Sequence, residues 1–201
     1  MEKRSEHNTR SKILRSAADM FSERGYEAVT IREIAKAVGI NSASIYYHFP
    51  SKEDILYSLY RVYAQAREKA CPDINKLLLL AETEPPHEVL LKSTFFYDEK
   101  DRDMLDKVLV TAARRLGSDE ESEYFIRENI LSPITYILRP LLERLIELGK
   151  IKPFDIGAFI SVLEFYCFSA AALNNSPFRV GVAEYQMGMS FLFSLVEVVE
   201  Q

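Results

Sequence analysis

The chain has 201 residues, 48% of them hydrophobic and 27% charged, which is enough for one large or two modest domains with packed cores. No stretch reaches the roughly 18 uncharged apolar residues of a membrane span, and the polar segment from Met1 to Thr9 is unlike a signal peptide. Together with two distant cysteines, Cys71 and Cys167, that we expect to be reduced, these features predict a cytoplasmic protein.

The charges are unevenly distributed along the chain. From Met1 to Lys52 there are nine basic and six acidic residues, an excess of three positive charges, whereas the remainder has sixteen basic and twenty-four acidic residues, an excess of eight negative charges. A basic end on an acidic body suits a protein that presents one face to phosphates. An excess of three charges is common by chance, so this is only weak support for nucleic-acid binding.

The N-terminal segments read as four helices. Apolar spacing predicts a first helix ending at Gly25, and Thr30 with Glu33 forms a capping box that opens a second helix, which ends at Gly39. Asn41 is expected to cap a short third helix that stops at Pro50. A further cap signature over residues 51–54 begins a long helix that lasts until Pro72.

The remaining sequence is also helical, which places the chain in the all-α class. Residues 88–97 and 101–116 look like separate helices, and a segment over 120–148 should be kinked or broken by Pro133 and Pro140 before it ends at Gly149. Two apolar helices, 153–173 and 180–199, close the chain.

The stretch from Thr30 to Lys52 has the physical logic of a helix-turn-helix motif. Ala35 is small where two helices cross, and Gly39 allows the backbone to turn. The second helix of the pair is left exposed on one side and can enter a major groove. Its outward side is expected to carry small polar groups and phenols, namely Ser42, Ala43, Ser44, Tyr46 or Tyr47, and His48.

The stretch from about Ser11 to Leu59 resembles the DNA-binding domain of the TetR family of transcriptional regulators. The similarity rests on residues and runs in a fixed order: Phe21, Gly25, Tyr26, Thr30, Ile34-Ala35, Val38-Gly39-Ile40, Ile45-Tyr46-Tyr47-His48-Phe49 and Lys52. The run of two tyrosines, histidine and phenylalanine, with a lysine three residues later, is highly specific. The resemblance implies a helix-turn-helix domain over residues 1–52 and a helical effector-binding and dimerisation domain over residues 53–201.

The resemblance also implies roles for single residues in contact with double-stranded DNA. Thr30, Tyr47, His48 and Lys52 are expected at phosphates, and Arg32 at bases or phosphates. Ser42 and Ser44 are the best candidates for base edges. Each has a simpler explanation, since Thr30 is a helix cap in any protein and the serines could be solvated. Of the adjacent tyrosines, helical phase favours Tyr47 facing DNA and Tyr46 packing inward.

Two reading helices about 34 Å apart match successive major-groove faces of a palindromic operator, so a homodimer is predicted. The last two helices are apolar nearly all round and need cover on more than one face. The alternative is that both are simply core. The predicted interface residues are Phe159, Leu163, Tyr166, Tyr185, Met189, Leu192 and Val196.

An apolar effector pocket is expected in the C-terminal part, because the resemblance implies an inducer site. The candidate lining residues are Phe95, Phe96, Arg114, Tyr124, Phe125, Tyr136 and Glu164. The expected mechanism is a population shift in which a small-molecule effector changes the spacing of the reading helices through the helix that begins at Ser51. Repression is favoured over activation.

Two rival functions stay open at this point. An enzyme is disfavoured because there is no phosphate loop, nucleophile elbow or metal-ligand spacing, so neither a metal site nor a cofactor is predicted. A helical enzyme with hidden paired carboxylates would show turnover without DNA. A helical adaptor or small-molecule-binding protein with the same fold would show no salt-dependent affinity for any duplex.

Overall fold

The computed structural model describes the backbone of residues 2–93, 99–172 and 182–199, and the side chains of residues 8–93, 102–169 and 187–199. The regular secondary structure of the described residues is helical apart from one isolated bridge, which confirms the all-α prediction. None of the described helices is long and apolar enough to cross a bilayer. The chain divides into two compact units: residues 1–66 with 98–123, and residues 67–97 with 124–201.

The first unit is built on the helices α1 (Glu2–Arg24), α2 (Ile31–Val38), α3 (Ser42–His48), the first part of α4 (Lys52–Ala70) and α7 (Glu99–Ala113). Helix α1 packs against both α2 and α7, and α2 packs against α3. The core is formed by fully buried apolar side chains from all five helices, among them Phe21, Ile34, Ile45, Leu59 and Val108.

The local signals in the sequence explain where these helices begin and end. The capping box of Thr30 and Glu33 is present at the start of α2, and Gly39 ends that helix with a φ of 77°, a left-handed conformation that favours glycine. The Asn41 side chain accepts a hydrogen bond from the Ser44 amide at the start of α3. The Ser51 hydroxyl accepts from the Asp54 amide at 3.0 Å as α4 begins. The four predicted cap features are therefore confirmed.

The second unit contains α5 (Ile74–Thr83), α6 (Pro86–Lys92), α9 (Ser132–Glu147), α10 (Ile156–Ala172) and α11 (Val182–Ser194). Helix α9 packs against α5, α6 and α10, and α11 packs against α6 and α10. The core is formed by buried apolar side chains such as Leu141, Leu145, Leu163, Met189 and Phe193.

The predicted break in the segment 120–148 occurs as a π-helix. Helix α8 (Glu120–Ile126) passes into a π-helical turn over Arg127–Leu131, where the Ser132 amide donates to the Arg127 carbonyl five residues earlier. The next residue is Pro133, which has no amide hydrogen for an α-helical bond, so the wider turn is tolerated directly before it. Pro140 lies inside α9 without ending it.

The prediction of a final helix reaching residue 199 is wrong at its end. Helix α11 stops at Ser194, and Ile151 and Val198 form an antiparallel bridge. The Lys152 amide donates to the Glu197 carbonyl at 2.9 Å, and the Val199 amide to the Lys150 carbonyl at 3.0 Å. The segment after Gly149, which has a φ of 66°, therefore supplies backbone hydrogen-bond partners to residues 197–199 in place of a further helical turn.

Candidate nucleic-acid interface

Helix α3 presents a face made of one small and two aromatic side chains. Ala43, Tyr46 and Tyr47 are exposed, and the tyrosines expose 54% and 75% of their surface. Ile45 is fully buried and holds the helix on the core of its unit. The prediction that Tyr46 packs inward is wrong, because Ile45 and Phe49, four residues apart, fill the buried stripe and leave both tyrosines outside it.

The two serines expected to reach base edges differ in their hydrogen bonding. The Ser44 hydroxyl donates to Asn41 Oδ1 at 2.9 Å, and the Ser44 amide donates to the same oxygen at 2.8 Å. Ser44 is therefore part of the cap at the start of α3. Ser42 is half-buried, and its hydroxyl forms no hydrogen bond within the described parts of the chain. Ser42 is thus the better of the two candidates for a base contact.

Thr30 and Arg32 lie exposed at the start of α2. The Thr30 hydroxyl donates to Glu33 Oε2 at 2.7 Å, and the Thr30 amide donates to the same oxygen at 2.9 Å. The Thr30 hydroxyl and an ion pair with Arg24 at 2.7 Å lower the pKa of Glu33 to about 2. In this state the hydroxyl proton of Thr30 is engaged by a carboxylate, so a phosphate would have to compete for it.

Lys52, predicted to contact a phosphate, forms close contacts within the domain. Its ammonium donates to the carbonyls of Tyr26 and Val29, both at 3.1 Å, and lies 4.1 Å from the centroid of the Tyr26 ring. An ammonium has three hydrogens, so one is left for a further acceptor. Lys52 thus fastens the loop before α2 to the first turn of α4.

Tyr26 lies at the centre of contacts that sequence reasoning did not predict. Its hydroxyl donates to Glu53 Oε1 at 2.9 Å, and burial together with this acidic neighbour raises the pKa of Tyr26. The guanidinium of Arg115 lies 4.1 Å from the ring centroid and pairs with Glu27 at 2.8 Å. The Tyr26 ring is therefore in contact with two cations, Lys52 and Arg115.

Arg114 and Arg115 follow α7 and contact the end of α1 and the loop after it. The Arg114 guanidinium donates to the Ser22 carbonyl, and Lys107 in α7 pairs with Asp19 at 2.6 Å. These partners are 88 to 92 residues apart in sequence. No local sequence pattern predicts such pairs. Tyr26 was one of the residues that carry the family resemblance, but its contacts with Lys52 and Arg115 were not predicted.

His48 is half-buried at the end of α3, and its ring lies 5.3 Å from that of Tyr47 in an edge-on arrangement. Arg10 is a further cation near this surface that the sequence did not single out. Its guanidinium lies 4.6 Å from the Phe49 ring and donates to the Ser58 hydroxyl at 3.2 Å. Among the described residues, no group of histidine, cysteine and acidic side chains is arranged to hold a metal ion.

The comparisons with known proteins agree with this geometry. Residues 13–59 match the family described as bacterial regulatory proteins, tetR family. The N-terminal domain of this chain is therefore similar to that family. The chain is 36% identical to the HTH-type transcriptional repressor KstR2 of Mycolicibacterium smegmatis over 46% of this chain and 50% of that protein. It is 33% identical to the biofilm operon icaADBC negative regulator IcaR of Staphylococcus aureus over 44% of each chain.

The chain thus spans half or less of the length of these two relatives, and the similarity to solved structures extends further. The tetR-family regulator PfmR from Thermus thermophilus is 26% identical, with a TM-score of 0.61 over 91% of this chain and 95% of that one. A regulator from Saccharomonospora viridis, solved in complex with choline, is 20% identical, with a TM-score of 0.67 over 97% of this chain and all of that one. The helical C-terminal part therefore shares the fold of tetR-family proteins.

The predicted dimer-interface residues lie on different sides of α10 and α11, except Val196, which follows the end of α11. Leu163, Met189 and Val196 are buried in the core of their own unit, so they cannot face outward as predicted. Phe159, Tyr166 and Leu192 are partly buried against the same core, and the side chain of Tyr185 lies outside the described residues. Both helices are apolar nearly all round, so the sequence pattern did not determine which stripe is buried.

The predicted effector-pocket residues are likewise divided. Phe95 and Phe96 lie outside the described residues, and Arg114 belongs to the first unit. In the second unit Phe125 is buried, whereas Tyr124 and Tyr136 are 56% and 68% exposed. Glu164 is half-buried and accepts a hydrogen bond from the Thr135 hydroxyl at 2.8 Å. The proposed effector site is therefore not defined by these residues as a group.

Proposed function

We propose that this chain is a DNA-binding transcription regulator that represses by occupying an operator with α3 in the major groove. The observation that carries the proposal is the exposed face of α3, held on its unit by the buried Ile45 and Phe49. A seven-residue helix capped at both ends and exposed along one side is suited to enter the groove. KstR2 is named a transcriptional repressor and IcaR a negative transcriptional regulator, which supports repression over activation.

We assign the contacts to DNA by the chemistry and the exposure of each side chain. Tyr47 and His48 are proposed to contact phosphates, and Arg32 at the start of α2 is proposed to contact bases or phosphates. Tyr46 joins them, because its ring is exposed rather than packed inward. The remaining ammonium hydrogen of Lys52 supports a further phosphate contact.

The decisive experiment is selection of bound duplexes from a random pool, followed by affinity measurements over a range of salt concentrations. A regulator of this kind is expected to enrich a palindrome whose half-sites lie about one helical turn apart. Its affinity should fall linearly with salt on a logarithmic scale. A pool that yields no enriched duplex would refute the proposal and favour an adaptor or small-molecule-binding protein.

We propose a homodimer that uses the outer faces of α10 and α11. Exposed apolar side chains follow helical spacing on these helices, with small residues beside them. On α10 the stripe is Ala158, Ser161, Val162 and Phe165. The second stripe is Met187, Ser190, Phe191 and Ser194 on α11, followed by Leu195 directly after the end of that helix. Phe165 and Phe191 expose 73% and 63% of their surface. An exposed apolar patch of this kind is typical of a protein–protein interface.

A second copy is the occupant that fits, because a symmetric interface places the same stripes on both sides and brings two α3 helices to one palindrome. Phe165→Glu is expected to produce monomers in sedimentation velocity, since two charges would be buried per interface. Tyr136→Glu is the matched control, because it places the same charge on an equally exposed aromatic residue of α9. A Phe165→Glu variant that stays dimeric would refute this interface.

We propose that a small molecule bound in the C-terminal part releases the operator. The support is indirect: a protein of the same fold was solved in complex with choline. The proposed route is α4, whose first turn carries Lys52 and which runs without interruption to Ala70. An effector of this kind must bind free protein more tightly than operator-bound protein by the same factor as it weakens operator binding. Equal affinities in the two states would refute induction by that molecule.

A further inference from the structure

The outer face of α3 has one apolar residue in its first turn. Ala43 is exposed and lies one helical turn before Tyr47, so the two side chains share a face. The neighbouring Ser44 uses both its amide and its hydroxyl on the Asn41 cap. Ala43 and Ser42 are therefore the residues of this turn whose side chains are not part of the cap.

We propose that Ala43 is a specificity-determining residue that reads the C5-methyl group of one thymine in each half-site. The proposal rests on the proposed operator binding by α3. A methyl side chain cannot donate or accept a hydrogen bond, so it can discriminate bases only through apolar contact. In the major groove of unmodified DNA, the group that offers such contact is the thymine methyl.

The surrounding side chains support this assignment. Alanine is short enough to let the helix backbone approach the base edges, whereas the phenols of Tyr46 and Tyr47 are long and suit the phosphates at the rim of the groove. Ser42, whose hydroxyl has no partner within the described chain, is available to hydrogen-bond an adjacent base. In the first turn of α3, Ala43 would then contact one thymine methyl group and Ser42 one polar base edge.

The test uses the selected operator and deoxyuridine, which pairs like thymidine but lacks the C5-methyl group. Each thymine of the half-site is replaced in turn by deoxyuridine, at the equivalent positions of both half-sites. At one position the wild-type protein is expected to lose affinity about fourfold per half-site, and hence about sixteenfold for the dimer, the factor for one buried methyl group per contact. At the other thymines the replacement should have a smaller effect.

Ala43→Gly should abolish the deoxyuridine effect at that position, because the apolar partner is gone. Ala37→Gly is the matched control, since it makes the same substitution at an exposed alanine of α2 and should keep the effect in full. Ala43→Ser has a helix propensity closer to that of alanine than Ala43→Gly has. It is expected to relax the preference for thymine when the selection is repeated with this variant. Circular dichroism of the three variants shows whether the domain stays folded.

Two results would overturn the assignment: no thymine position responds to deoxyuridine, or the response persists in Ala43→Gly. An enriched operator whose half-sites contain no thymine would do the same. In each of these cases the enriched operator still establishes DNA binding, so only the role of Ala43 is refuted and the proposed function is not. A pool that enriches no duplex overturns both.

Discussion

Replacing Lys52 by methionine tests whether this lysine supports the domain as well as any DNA contact. Methionine keeps an unbranched apolar stem and removes the ammonium that bridges the carbonyls of Tyr26 and Val29. A hydrogen bond to a charged group is worth about 1.5 kcal/mol at the lower end of its range, and an exposed cation–ring contact adds about 0.5 kcal/mol. The two hydrogen bonds and the ring contact together amount to about 3.5 kcal/mol. Because Lys52 is only half-buried, water replaces part of this interaction, and we expect a loss of about 2 kcal/mol.

The assay is urea unfolding of the wild type and the variant, with the midpoint falling while the slope stays constant. Lys36→Met is the matched control: this lysine of α2 is exposed, and its side chain has no hydrogen bond or ion pair within the described chain. Its stability should change by less than about 0.5 kcal/mol. Equal stabilities for wild type and Lys52→Met would refute the structural role.

The same variant also reports on the DNA contact. If the third ammonium hydrogen of Lys52 reaches a phosphate, the slope of log affinity against log salt should fall by about two for the dimer. A slope unchanged from wild type would remove Lys52 from the interface, whatever its effect on stability.

Three further predictions follow from single contacts. Ser44→Ala should leave the selected operator sequence unchanged, because its hydroxyl belongs to the Asn41 cap; an altered sequence logo would contradict this. The ionised Glu33 carboxylate stabilises the wild type above about pH 4.5, and this stabilisation is lost as the pH falls towards about 2, because the pKa of Glu33 is lower in the folded state than in the unfolded state. Glu33→Gln should lack this pH-dependent stabilisation. Melting temperatures of wild type and variant that change equally with acid would refute the prediction. Gly188→Ala should destabilise by about 1–3 kcal/mol, because a Cβ there would meet the Tyr166 ring. In a Tyr166→Ala background the same change should be neutral or stabilising, as alanine favours helix, and an equal loss in both backgrounds would exclude the clash.

The helix boundaries of the N-terminal domain could be derived from the sequence because their causes are local. The capping box of Thr30 and Glu33, the Asn41 cap and the left-handed Gly39 all act over three or four residues. The same density of local signals carries the resemblance to the tetR family. The exposure of Tyr46 was missed because two adjacent residues differ by only about 100° around a helix, which a seven-residue pattern does not resolve well.

Hydrophobic patterning could not choose the buried face of α10 and α11. Leu163, Met189 and Val196 were expected at a dimer interface, yet they complete the core of their own unit and leave Phe165 and Phe191 exposed. When a helix is apolar on most sides, its rotation is determined by which neighbours it meets, and that is a property of the packed structure.

The sequence alone determined the helical class, the caps, and the order of residues by which the N-terminal domain resembles the tetR family. Tertiary structure decided that residues 98–123 belong to the unit that carries that domain, and that Arg115 and Lys52 both contact the Tyr26 ring. Arg115 lies 89 residues after Tyr26 along the chain. A capping bond joins neighbours along the chain and is encoded where it forms, whereas a contact over that distance exists only once the intervening helices have packed.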